Sequence, residues 1–163
     1  MTKLNVLFLC TGNSCRSQMA EGLTNHFLGH LYQAYSAGVE PSGYVHPLAI
    51  RVMQEIGVDI SQGVSKRPDV FRDIAFDLVI TVCDDAAETC PVWLREGHVE
   101  HIGFYDPAKA EGTEEERLAV FRQVRDEIRD RVLSYLEEFA TQSETRSSPS
   151  PKSNIFPFGE EKV

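Results

Sequence analysis

Cys10-Thr11-Gly12-Asn13-Ser14-Cys15-Arg16-Ser17 sets a thiol ahead of a guanidinium in a Cys-x5-Arg-Ser pattern, with small and hydrogen-bonding residues between them. These are the parts of a trap for a tetrahedral oxyanion. A turn permissive at Gly12 and Asn13 can aim successive backbone N–H groups inward as a nest. A helix starting just afterwards would add unpaired N–H groups and the positive end of its dipole. Arg16 can grip two oxygens in bidentate fashion. A thiol in that field is expected to be acidified, and Ser17 is placed to donate a hydrogen bond to its sulfur. The candidate anion-binding residues are therefore Thr11, Gly12, Asn13, Ser14, Cys15, Arg16 and Ser17, with Cys10 as the nucleophile. Cys15 reads as a space-filling side chain under the loop, the alternative being a protective partner for Cys10. Asp106-Pro107 suits a general acid, because proline stiffens the loop while the carboxyl protonates a departing oxygen. Cys83 and Cys90, in Thr-Val-Cys-Asp-Asp-Ala-Ala-Glu-Thr-Cys-Pro, are surplus to ester hydrolysis. Two further thiols beside a nucleophilic cysteine suggest electron delivery by thiol–disulfide exchange.

Such residues work only if distant segments converge. Leu4–Leu9 reads as a buried strand ending at Cys10, and Ser17–Gly29 as a helix with Met19, Leu23, Phe27 and Leu28 at helical spacing. Tyr32–Ala37 reads as a second strand, and His46–Ile56 as a second helix stopped by Gly57. Asp77–Val82 is a β-branched run suited to a strand covered on both faces, and Val99–Phe104 a weaker strand. Thr113-Glu-Glu-Glu116 is a capping box opening a long helix, with Leu118, Phe121, Ile128, Val132 and Tyr135 on its inner stripe. The alternation predicts an α/β fold, a parallel sheet with helices on both faces. Right-handed crossovers then gather the strand-to-helix loops at one edge, where Cys10, Cys83 and Asp106 would meet.

The loop between first strand and first helix resembles the phosphate-binding loop of the low-molecular-weight tyrosine phosphatase fold. With Cys10 to Gly22, the Cys-x6-Cys-Pro pair, the Asp-Pro acid and Phe121-Arg-Gln-Val-Arg-Asp-Glu-Ile128, the resemblance sharpens to the thioredoxin-coupled arsenate reductases, over about residues 4–140. That resemblance implies a three-layer α/β/α domain around a four-stranded parallel sheet. It also implies a reaction sequence. Cys10 attacks arsenate held by the loop and Arg16, and Asp106 protonates the leaving hydroxide. Cys83 attacks Cys10 and releases arsenite, then Cys90 attacks Cys83, and thioredoxin reduces the Cys83–Cys90 disulfide. Phosphate or sulfate would occupy the loop as analogues. The implied protein is a cytoplasmic monomer without a cofactor. Some members of the family bind potassium through Asn13, Glu21, Ser36 and an Asp after the second helix. Lys66 lies near that last position here, so its cation is expected to replace the ion and no metal site is expected.

Composition predicts a soluble globular protein. The chain has 163 residues, 42% of them apolar, and a formal net charge of −9, which disfavours nucleic acid or an anionic membrane as partner. Leu4–Leu9 is too short for a signal peptide and lacks a cleavage site. Residues 1–140 are expected to form the catalytic domain, and the Ser- and Pro-rich residues 141–163 a disordered tail. Cys83, Cys90, His98 and His101 fall outside usual zinc spacing. His26, His30 and His46 read as helix-surface or boundary residues. Two alternatives remain: a phosphotyrosine phosphatase, for which Tyr44 is the available aromatic platform, and a non-enzymatic redox or oxyanion sensor. A helix over Asp84–Thr89 in the reduced protein would have to unwind before Cys83 and Cys90 could pair, with Trp93 as reporter.

Overall fold

The computed structural model describes residues 2–84, 92–93 and 95–147. Four parallel strands, β1 (Leu4–Cys10), β2 (Tyr32–Gly38), β3 (Leu78–Thr81) and β4 (His98–His101), form one sheet in the order β2-β1-β3-β4. Among the described residues three helices, α1 (Arg16–Phe27), α2 (Pro47–Gln54) and α3 (Glu114–Ser147), complete the α/β fold with 3₁₀ turns at Pro68–Phe71 and Pro107–Lys109. The chain forms two compact units, Met1–Leu133 and Ser134–Val163. No described helix is long and apolar enough to cross a membrane.

In the first unit, β1 is central and apolar on both faces, as a strand covered from both sides must be. Leu7 and Leu9 join Ala37, Phe76 and Val79, and Phe71, Ile74 and Trp93 close over that cluster. Alternation turns Val6 and Phe8 to the opposite face, where α1 lies against β1 and β2. Asn25 of α1 bonds both peptide groups of Ala34, satisfying the outer edge of β2. Buried Arg125 ties α3 to α2 through the Val52 carbonyl and Glu55.

The predicted elements are present, with shifted ends. α2 starts after His46, whose side chain caps it with Pro47 at the first helical position, and Gly57 follows its end at φ +79°. β4 stops at His101, yet Ile102 and Phe104 still donate to the carbonyls of Thr81 and Val82, so the chain keeps following β3 beyond the strand. The stripe on α3 holds Leu118, Phe121, Ile128 and Val132 fully buried, and Tyr135 only half-buried. α3 also runs through 141–147, which the sequence pattern assigned to the tail. Those residues are polar but contain no helix breaker, and the first proline is Pro149. Residues 148–163 lie outside the described residues.

The capping box forms in both directions: Thr113 N–H donates to Glu116 Oε1 at 2.8 Å, and Glu116 N–H to Thr113 Oγ1 at 3.1 Å. These bonds hold the Glu116 carboxyl below the usual glutamate range. A depressed carboxyl stabilises the fold above its unfolded-state pKa and loses that effect as pH falls through its folded one. Thr113→Ala should cost about 1 kcal/mol in urea unfolding. The stability difference between wild type and Glu116→Gln should shrink as the pH drops below the glutamate range; a pH-independent difference would contradict the cap.

Candidate active site

Parallel register places the chemistry. Leu9 pairs with Thr81 across β1 and β3, and Val82 N–H donates to the Leu9 carbonyl at 3.0 Å. Cys10 and Cys83 therefore leave neighbouring strands almost level. The order β2-β1-β3 makes the β1/β3 crevice the switch point, where open α/β sheets bind ligands. The third strand exit joins them: a Cβ on Gly103 would fall 2.8 Å from the Cys83 carbonyl oxygen, so only glycine lets that segment run so close on its way to Asp106.

The loop is held from outside. Carbonyls of Cys10, Thr11, Gly12 and Ser14 accept from the N–H groups of Val39, Glu40, Ser42 and His46. Asn13 turns its carbonyl to Gln18. A trans peptide points its N–H opposite to its C=O, so the N–H groups of Gly12, Asn13, Ser14 and Cys15 are directed inward. The left-handed turn falls at Asn13, φ +49°, while Gly12 serves close approach: a Cβ there would stand 2.9 Å from Ser42 Oγ. Gly38 does the same from β2, since its Cβ would lie 2.6 Å from the Thr11 carbonyl oxygen. α1 begins at Arg16 without a side-chain cap, leaving its first N–H groups to the loop.

Cys10 is 2% exposed, and its sulfur receives the Asn13 N–H at 3.2 Å and lies 3.0 Å from Ser17 Oγ. Asn13 Nδ2 donates to Ser17 Oγ at 2.8 Å, so the Ser17 hydroxyl is free to donate to Cys10. Arg16, 4% exposed, donates to the Phe104 carbonyl at 3.1 Å and stands 3.7 Å from Asp106 Oδ2. Asp106 Oδ1 caps the turn at Pro107–Lys109 by accepting from Ala108 N–H at 3.0 Å. That leaves Oδ2 toward Arg16 at the mouth of a cleft of about 360 Å³. Burial, with the Asp106 charge, pushes the Cys15 thiol up to about 12, as befits a filler rather than a nucleophile.

Cys83 is fully buried and disulfide-bonded, whereas Cys10 and Cys15 are free thiols. Cys90 and the expected helix over Asp84–Thr89 lie outside the described residues, apart from Asp84. His101 Nδ1 is 2.7 Å from Thr81 Oγ1, across the β3–β4 pair.

A low molecular weight phosphotyrosine protein phosphatase model matches residues 5–145. An arsenate reductase of Bacillus licheniformis is 51% identical over 139 residues, covering 84% of this chain and 98% of that protein. The solved structure of an arsenate reductase in a phosphate-binding state superposes with a TM-score of 0.64 at 34% identity, over 83% of this chain and 98% of that one. A thioredoxin-dependent arsenate reductase of Corynebacterium glutamicum matches with a TM-score of 0.60 at 29% identity, over 86% of this chain and 63% of its own. This chain belongs to the low molecular weight phosphotyrosine protein phosphatase family.

Membership leaves this phosphatase-family chain with features that its sequence concealed. The brace at Val39–His46 carries no motif, because it works through backbone N–H groups. His46 caps α2 through Nδ1, which accepts from Leu48 N–H, and also lines the cleft beside Tyr44, while its ring packs 4.8 Å from Phe121. Burial and Arg117 lower its pKa, against the opposing charge of Asp106. Ser17→Ala should lower turnover about ten-fold, since a hydrogen bond to a charged group contributes about 1.5 kcal/mol. Phosphate affinity, measured by protection of Cys10 from alkylation, should change less than about two-fold. Unchanged turnover would remove Ser17 from the reaction.

Proposed function

We propose that this chain reduces arsenate to arsenite with Cys10 as nucleophile and Cys83 and Cys90 as a disulfide relay. The observation that carries it is a built oxyanion cradle whose nucleophile leaves β1 level with a second, disulfide-bonded cysteine leaving β3. Arsenate sits on the inward N–H groups and Arg16. The Cys10 thiolate forms a sulfur–arsenic bond as a hydroxide departs, protonated by Asp106. Cys83 thiolate then attacks Cys10 Sγ. The sulfur–sulfur bond forms, the sulfur–arsenic bond breaks, and its electron pair reduces arsenic(V) to arsenic(III). Attack by Cys90 on Cys83 frees Cys10. A cytoplasmic thioredoxin is the dithiol that reduces the resulting pair and closes the cycle, with the enzyme acting as a monomer.

A potassium ion is not part of this reading. Asn13 Oδ1 is occupied by Lys66 N–H and Gln18, and Ser36 Oγ by Asn13 and Glu21. Burial raises the Glu21 pKa and lowers that of Lys66, and each charge opposes the other's shift, so the lysine supplies the positive charge locally.

Arsenate-dependent NADPH oxidation with thioredoxin and its reductase should proceed in wild type and fall at least about 100-fold in Cys10→Ser, Cys83→Ser and Cys90→Ser, each of which loses an obligatory bond-forming thiol. Slow hydrolysis of an activated aryl phosphate should survive Cys83→Ser and vanish in Cys10→Ser. A Cys83 variant that keeps arsenate turnover would return the chain to the phosphatase reading.

We place the catalytic machinery wholly within residues 1–140. Deleting residues 148–163 should leave arsenate turnover within about two-fold, because terminal segments outside a site tolerate removal. Loss of most activity in a folded truncation would overturn that boundary.

A further inference from the structure

Arg131 lies on the exposed flank of α3, one turn after buried Ile128, and takes no part in the anion cradle. Its hydrogen bond and its ring contact go to one short segment. Nη1 donates to the Gly103 carbonyl at 3.1 Å, and the guanidinium lies 4.7 Å above the Phe104 ring. The same segment carries three pieces of the proposed machinery. The Gly103 backbone packs against the Cys83 carbonyl, the Phe104 carbonyl accepts from Arg16, and Asp106 stands two residues further on.

Gly103 to Asp106 has left the strand, so the sheet ladder no longer fixes it beyond the Phe104 bond to Val82. A flat guanidinium suits both holds at once, donating in its plane to a carbonyl and stacking by its face on a ring. We propose that Arg131 is a positioning residue for the reaction: from α3 it holds Gly103 and Phe104 so that Asp106 stands over the anion loop. This rests on Asp106 being the general acid, and the test separates the two.

The substitution is mild, because Arg131 is exposed and methionine keeps its apolar stem. Arg131→Met, Arg131→Lys, Asp106→Asn and the Arg131→Met/Asp106→Asn double variant are compared with wild type. The readouts are kcat/KM for phenyl phosphate, p-nitrophenyl phosphate and arsenate, with the inhibition constant of inorganic phosphate. A poor leaving group depends on the acid more than a good one. Arg131→Met should lose about ten-fold on phenyl phosphate and arsenate but less than about two-fold on p-nitrophenyl phosphate, with phosphate inhibition unchanged. Arg131→Lys, still cationic and able to donate to Gly103, should recover part of the loss. In the Asp106→Asn background Arg131→Met should have no further effect. Equal losses on both aryl phosphates, weaker phosphate inhibition, a further loss in the double variant, or no loss at all would each overturn the proposal. If Asp106→Asn itself shows no leaving-group dependence, the acid assignment fails instead, and the positioning role through that acid falls with it.

Discussion

The Asn13 side chain is fully buried, and its amide has all four hydrogen-bonding positions filled. Nδ2 donates to Ser17 and Ser36, while Oδ1 accepts from Gln18 and from the Lys66 N–H. An amide has two donors and two lone pairs, so nothing is left over. That complete satisfaction is what allows a non-glycine residue to remain at φ +49° in the middle of a loop. Its backbone N–H then meets the Cys10 sulfur, and Ser17, already accepting from Asn13, has its own proton for the same sulfur. Losing any one partner would leave a buried polar atom unpaired, at a cost of about 1–3 kcal/mol. The cradle is thus pre-organised by a network beneath it before any anion arrives.

Charge makes the same point from another direction. A chain of net charge −9 has no general attraction for an oxyanion. The attraction is local and largely uncharged: inward peptide N–H groups and an uncapped helix start, with Arg16 as the single buried guanidinium at the loop. Fixed dipoles cost little reorganisation when charge develops, which is why such sites work in a protein of opposite overall sign. Cys15 in the same wall keeps its proton, because burial raises its pKa.

Much of this was legible in the sequence. Cys10, Arg16 and Ser17 meet as the motif spacing suggested, Asp106 joins them as the strand-exit topology suggested, and the capping box at Thr113 forms as written. What the pattern hid has a common physical cause. The brace from Val39 to His46 acts through main-chain N–H groups, which every residue but proline possesses. The need for Gly103 is set by a close approach between strands far apart in sequence. Arg131 reads as one more charge on an exposed helix face until the fold brings Phe104 beneath it. The end of α3 was placed early because residues 141–147 carry no apolar periodicity, although nothing among them breaks a helix.

One loop can serve hydrolysis and reduction because the loop itself decides only the first bond. In the proposed reaction, once Cys10 has displaced an oxygen, the next nucleophile to reach the adduct determines the product. Water attacking phosphorus regenerates the thiolate and completes a hydrolysis. A thiol attacking the Cys10 sulfur instead sends an electron pair onto the bound atom and reduces it. Strand register supplies the candidate for the second path: Cys83 leaves β3 beside the end of β1 and is fully buried there. Phosphorus(V) resists such reduction while arsenic(V) accepts it, so the same cradle can bind both oxyanions and still turn over only one by electron transfer. Substrate choice then rests on the redox chemistry of the central atom rather than on any contact that distinguishes the two anions.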